Sequence, residues 1–212
     1  MTVDFSAEIL DKYIAPGVST FTSADIPDMS SWAKESRHWI GNFFLNSAFS
    51  ASFAPEMKAY AYNFLRRTQF AFSEHRLARE STLLFLTRDG KSPTAYVEAL
   101  FHWECFLSQS WQAFNLLAKA WAGTVFNKND GSVEQRLNAL YNQMKHVESR
   151  IESGQMLPDA TVPVWLENEG LKSTDARMTY AETAAILKEL AKYADILMSP
   201  KTAKAALQEL DG

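Results

Sequence analysis

Between Ser92-Pro93 and Trp121 no glycine or further proline interrupts the chain, and Tyr96, Leu100, Trp103, Leu107, Trp111, Phe114, Ala118 and Trp121 follow one another at steps of three and four. That spacing places all eight on one side of an α-helix and suits no strand. Ser92 offers a cap and Pro93 a first-turn proline, whose missing N–H costs nothing there. At ~1.5 Å per residue the helix would span about 43 Å. Apolar residues cover so much of its circumference that several neighbours must surround it. The chain is therefore predicted to fold around one central helix.

The neighbours are read by the same rule. Trp32, Trp39, Ile40, Phe43 and Phe44 predict a helix from Trp32 to about Phe49, with Ser30-Ser31 offering its cap. Pro55 begins a second, striped by Met57, Tyr60, Ala61, Phe64 and Leu65 and running past Arg76; Leu83-Leu84-Phe85-Leu86 either extends it or forms a separate turn before Asp89-Gly90. Ser132-Val133-Glu134-Gln135 reads as a capping box, and Val133, Leu137, Leu140, Met144, Val147 and Ile151 lie within an arc of roughly 80°, predicting one amphipathic helix through residue 151. Thr179-Tyr180-Ala181-Glu182 is a second capping box, opening a helix through Leu197, and Pro200 precedes a short alanine-rich tail helix. Between them, Val162-Pro163-Val164-Trp165-Leu166 suggests a short extended or hairpin excursion near residues 160–173. The expected fold class is all-α, an antiparallel bundle of four to five long helices. Residues 1–30 form a short helix (5–14) and an irregular arm, and residues 31–212 a single domain.

Composition narrows the function classes. The single Cys105 forms no intrachain disulfide and builds no thiolate zinc site. The N-terminus lacks a basic start followed by an apolar run, and nowhere do roughly eighteen uncharged apolar residues stand together, so neither export nor membrane insertion is expected and the cytoplasm is the expected compartment. The formal charge of −4 gives no global attraction to nucleic acid, although Arg66, Arg67, Arg76, Arg79, Arg88 and Lys91 make residues 66–91 locally basic. Dinucleotide, P-loop and serine-hydrolase motifs are missing. Glu35-Ser-Arg-His38 spells half of a di-iron pattern, but the other three histidines lack the matching glutamate, so no metal and no cofactor is expected.

The most informative string is Arg136-Leu-Asn-Ala-Leu-Tyr141-Asn142-Gln143-Met144-Lys145-His146. On a helix, Asn142, Gln143, His146 and Arg150 occupy the flank beside the apolar stripe, with Arg136 at its edge. Histidine moves protons near neutral pH, and Asn, Lys and Arg position a phosphate. The same residues also suit an inter-helix hydrogen-bonding network. On the central helix, Glu104, Ser108, Gln112, Asn115 and Lys119 form a polar row that would orient the imidazole if it faced His146.

Tyr141-Asn142-x-x-Lys145-His146, on the helix that follows a long central one, resembles the signature helix of HEPN domains, in which an arginine and an often-present polar neighbour precede a histidine. Asn142 and His146 match the polar position and the histidine; Tyr141 stands where the family has arginine. The resemblance implies a protein that handles RNA or a nucleotide, a metal-independent ribonuclease or its inactive relative in a bacterial defence or toxin-antitoxin setting, acting as a homodimer. His146 would then be the acid/base, Asn142 and Lys145 would contact the phosphate, Arg136 or Arg150 would stabilise its charge, and Tyr141, Gln143 and Glu104 would complete the binding surface. The alternative is a non-catalytic helical interaction subunit that docks on a protein partner through exposed rings, with Trp32 and Trp39 as candidate anchors.

Overall fold

The computed structural model describes residues 6–50, 52–88 and 92–210; Asp89-Gly90, Lys91 and the first five residues of the arm lie outside them. The chain is mostly helical with one small sheet. In order come α1 (Ala7–Tyr13), a 3-10 turn (Val18–Thr20), α2 (Ser30–Phe49), α3 (Pro55–Thr87), α4 (Pro93–Ala120), α5 (Val133–Lys145), α6 (Val147–Glu152), β1 (Trp165–Glu167), β2 (Gly170–Lys172), β3 (Arg177–Thr179), α7 (Tyr180–Leu197) and α8 (Pro200–Leu210).

α3 and α4 are the core of the molecule. Pro55 and Pro93 open them at the first turn, and the Ser92 hydroxyl accepts the Ala95 N–H as an N-cap. Leu83-Leu84-Phe85-Leu86 extends α3, making it one helix of 33 residues. The pair runs antiparallel, since Arg67 meets Gln109, His75 meets Trp103, and Phe85 meets Tyr96. Trp103, Phe106, Phe64, Phe72 and Phe85 are fully buried between them and their neighbours α2 and α7. Burying one such ring is worth about 2–3 kcal/mol, so this seam supplies much of the driving force for folding.

The arm belongs to the same core. Leu10, Ala15, Val18, Phe21, Ile26 and Met29 are buried, Phe21 stacks on Phe85 at 5.8 Å between ring centroids, and Arg79 Nε donates to the Ile26 carbonyl at 3.1 Å. Asn168 Oδ1 accepts both Thr22 N–H and Ser23 N–H, tying the arm to the β1–β2 turn.

One expectation is extended and one is corrected. The expected hairpin is present as β1-β2, and a third strand joins it, giving an antiparallel sheet in the order β1-β2-β3, with Leu171 opposite both Leu166 and Met178. Gly170 permits this pairing, because a Cβ there would stand 1.9 Å from the Met178 carbonyl oxygen. The helix expected through residue 151 breaks at His146, whose φ of −112° and ψ of 27° leave the α-helical region. α6 restarts beyond it, Ile151 is 61% exposed instead of facing the core, and Gly154 ends α6 in the left-handed conformation with the Gln155 N–H bonded to the Arg150 carbonyl. No helix among the described residues is long and apolar enough to cross a membrane.

Candidate functional site

Of the residues that the sequence singled out, the α5–α6 junction holds Asn142, Gln143, Lys145, His146 and Arg150, and leaves Arg136 and Glu104 elsewhere. The Ser132 hydroxyl caps α5 by accepting the Gln135 N–H at 3.1 Å, and Leu137 and Leu140 bury its inner face. Its last turn presents Asn142, Lys145 and His146 to solvent. The Asn142 amide donates to Asn138 Oδ1 at 3.1 Å, while the His146 imidazole and the Lys145 ammonium have no hydrogen-bond or ion-pair partner among the described residues. Tyr141 is half-buried, its ring 6.3 Å from that of Trp111.

The other candidates face inward or sideways. Gln143 is buried and its Nε2 donates to Asp175 Oδ2 at 2.7 Å; Arg150 Nη2 donates to Thr174 Oγ1 at 2.9 Å and reaches the same Asp175 oxygen at 3.4 Å. These bonds come from either side of the helix break and fix the junction to the β2–β3 turn. Arg136 donates to the Gly131 carbonyl and to the Glu182 carboxylate, which also accepts the Thr179 N–H in the capping box of α7. The guanidinium of Arg136 thus links the starts of α5 and α7 and is engaged there. An imidazole and an ammonium left in solvent are charge-bearing or hydrogen-bonding groups that can meet a phosphate. The two arginines of this segment are held by protein acceptors.

In the row on α4, Gln112 Nε2 donates to Ser108 Oγ at 2.9 Å. Glu104 is half-buried, and loss of hydration raises its carboxyl to about 7; no hydrogen bond or ion pair joins it to the junction among the described residues. Burial and the neighbouring Glu74 and Glu104 carboxylates raise the Cys105 thiol, which leaves it protonated and a poor nucleophile. His102 Nδ1 pairs with Glu74 Oε2 at 2.8 Å. Glu35 and His38 are exposed on α2, and no group of three or more His, Cys, Asp or Glu among the described residues is arranged to hold a metal ion.

His75 is the interior counterpart of His146. It packs edge-on against Trp103 and Phe106 at 5.4 and 5.5 Å. The Thr183 hydroxyl donates to the Tyr180 carbonyl at 2.7 Å, so at 3.1 Å it accepts from His75 Nε2, which carries the proton; Nδ1 is buried without a partner. Burial lowers this imidazole to about 4, with the charge of Arg79 adding to the effect. His75 is a neutral core residue.

Sequence reasoning missed Asp175 and Glu182, the carboxylates that hold Gln143, Arg150 and Arg136. They lie more than twenty residues away along the chain, and no spacing rule connects them; the capping box marked Glu182 as a cap only. Of the basic stretch, Arg76 pairs with Glu80 one turn on, Arg79 serves the arm, and Arg66 and Arg67 bond to the neutral amides of Asn63 and Gln109. Trp39 is buried, with its Nε1 donating to Asp195 at 2.8 Å, so it is no docking anchor. No protein-family model, curated protein or solved structure matches the chain.

Proposed function

We propose that the chain is a HEPN-like helical bundle that handles RNA or a nucleotide at the α5–α6 junction, in the cytoplasm. The observation that carries this reading is the exposure of Asn142, Lys145 and His146 on one turn, at a helix break where the imidazole and the ammonium have no partner among the described residues. Lys145 and Asn142 contact a phosphate, and His146 takes or gives the proton. Arg136 is bonded to Glu182, so a single chain lacks the guanidinium that would offset charge in a cleavage step; a homodimer brings a second Lys145–His146 pair to the same phosphate. The bacterial defence or toxin-antitoxin setting follows from the resemblance alone.

The test is RNA binding and cleavage by the intact protein and by His146→Ala. Loss of binding or cleavage with an unchanged thermal midpoint supports the reading, and equal behaviour of the two proteins removes it. A second reading, an interaction subunit, is favoured by a separate observation. Phe70 and Leu84 on α3 and Val97 and Phe101 on α4 are each about half exposed on adjacent helices. A stable protein complex that Phe101→Ala disrupts, with RNA binding absent, would establish it.

A further inference from the structure

The start of α3 and the end of α2 enclose an open groove of about 350 Å³, lined by the rings of Phe43, Phe44 and Tyr62 and by Ala59, Lys58 and Asn63. Phe43 is fully buried and forms the floor, stacked at 6.0 Å on Phe53; Phe44, more than half exposed, stands 5.7 Å from Tyr62. The volume lies in the range of small-ligand sites, and exposed aromatic walls favour a flat ring.

The charge beside the groove is unbalanced. Asn63, which lines it, accepts Arg66 Nη2 on Oδ1 at 3.1 Å and donates to the Ala59 carbonyl at 2.9 Å, so the amide is fixed and holds the guanidinium at the groove's edge. Arg66 Nε is buried without an acceptor among the described residues. Arg67, next in sequence, turns away from the groove toward α4, where it bonds to the Gln109 amide, and burial together with the charge of Arg66 lowers its pKa. Neither arginine has a carboxylate within ion-pair distance among the described residues, an unfavourable arrangement for two partly desolvated like charges. Residues 55–73 carry Lys58, Arg66 and Arg67 against Glu56 alone. The missing counter-charge is anionic, and the donor fork of Arg66 suits the oxygens of a phosphate.

From this we infer that the groove binds a heteroaromatic phosphate monoester of nucleoside monophosphate size. The ring stacks on the solvent-facing side of Phe44, whose own ring rests against Tyr62, and the phosphate is held by Arg66, one turn and roughly 6 Å beyond Tyr62 along α3. Lys58, about 12 Å from Arg66 along the helix, raises the positive potential at the opposite end. This site is separate from the α5–α6 junction and stands or falls without it.

The experiment is calorimetric titration of the intact protein with adenosine monophosphate, adenosine and inorganic phosphate. The monophosphate should bind at least tenfold tighter than either fragment, Arg66→Gln should weaken it tenfold or more, and His146→Ala should leave it unchanged. Phe44 is solvent-facing, so Phe44→Ala keeps the fold and should also weaken the monophosphate while leaving the phosphate fragment unaffected. Equal affinity for monophosphate and phosphate, an unchanged Arg66→Gln, or a self-associated protein that Phe44→Ala makes monomeric would overturn the inference. Loss of monophosphate binding in His146→Ala would move the nucleotide to the junction, overturning this site and leaving the functional reading intact.

Discussion

The α3–α4 pair and the α5–α6 segment handle similar residues in opposite ways. α3 and α4, 33 and 28 residues long, bury His75 against two aromatic rings and hold it neutral. α5 and α6, 13 and 6 residues long, break at His146 and leave that ring in water. Long helices that share a seam surround their polar groups from several sides. A short helix packed through one narrow stripe leaves its flank free to meet a ligand. Histidine as a residue type says little about function here; the number of elements packed around it decides.

The contrast is tested most severely by truncation. Trp103→Ala removes a fully buried ring whose Nε1 donates to Thr82, and should cost about 3–5 kcal/mol in urea unfolding. Ile151→Ala, on the exposed side of α6, should stay within about 0.5 kcal/mol. A large loss at Ile151 would show that α6 packs more firmly than its exposure implies.

The pH dependence sharpens the comparison next. The folded chain keeps His75 neutral down to about 4 while the unfolded chain protonates near 6.5, so this group's stabilisation is full above about pH 6.5 and declines as pH falls to 4. The loss amounts to about 3 kcal/mol. Glu104 acts with the opposite sign. Its folded carboxyl stays protonated up to about 7 while the unfolded one ionises near 4.5, so its stabilisation is full below about pH 4.5 and is lost as pH rises to 7. Glu104→Gln should therefore raise the thermal midpoint at pH 8 and change little at pH 4.5, and a pH-independent effect would exclude a buried carboxyl.

Smaller effects separate the residues of α5 and α6. Arg136→Ala should cost about 1–2 kcal/mol, since it breaks a partly buried pair and disturbs the capping box of α7. Arg150→Ala, whose partner Asp175 is largely exposed, should cost less than about 1 kcal/mol. His146→Ala should leave the urea midpoint where it is. A stability loss at His146 equal to that at Arg136 would give the imidazole a structural role.

Much of the scaffold was legible. The three-and-four spacing from Tyr96 to Trp121, the first-turn prolines Pro55 and Pro93, and the caps Ser92, Ser132 and Thr179 each act within a few residues of where they are written. The break at His146 was not, because Met144-Lys145-His146-Val147 contains no glycine or proline and has ordinary helical propensity. Nor was β3: Arg177-Met178-Thr179 is too short to show a period, and it pairs only because Gly170 admits its backbone. At the candidate site the sequence gathered Asn142, Lys145 and His146 on one turn, and it could not foresee that Arg136, Gln143 and Arg150 would be drawn to Glu182 and Asp175.

By itself, then, the sequence determined the long helices, the caps Ser92, Ser132 and Thr179, and most of the apolar stripes, since these depend on a periodicity of 3.6 residues and on hydrogen bonds to near neighbours, while the Ser30-Ser31 cap did not form and Ile151 stayed in solvent. Tertiary structure alone decided which polar groups were bonded to protein and which were left to solvent. That choice depends on which distant carboxylate arrives beside each one, and a side chain's partner across the fold leaves no periodic trace in the chain.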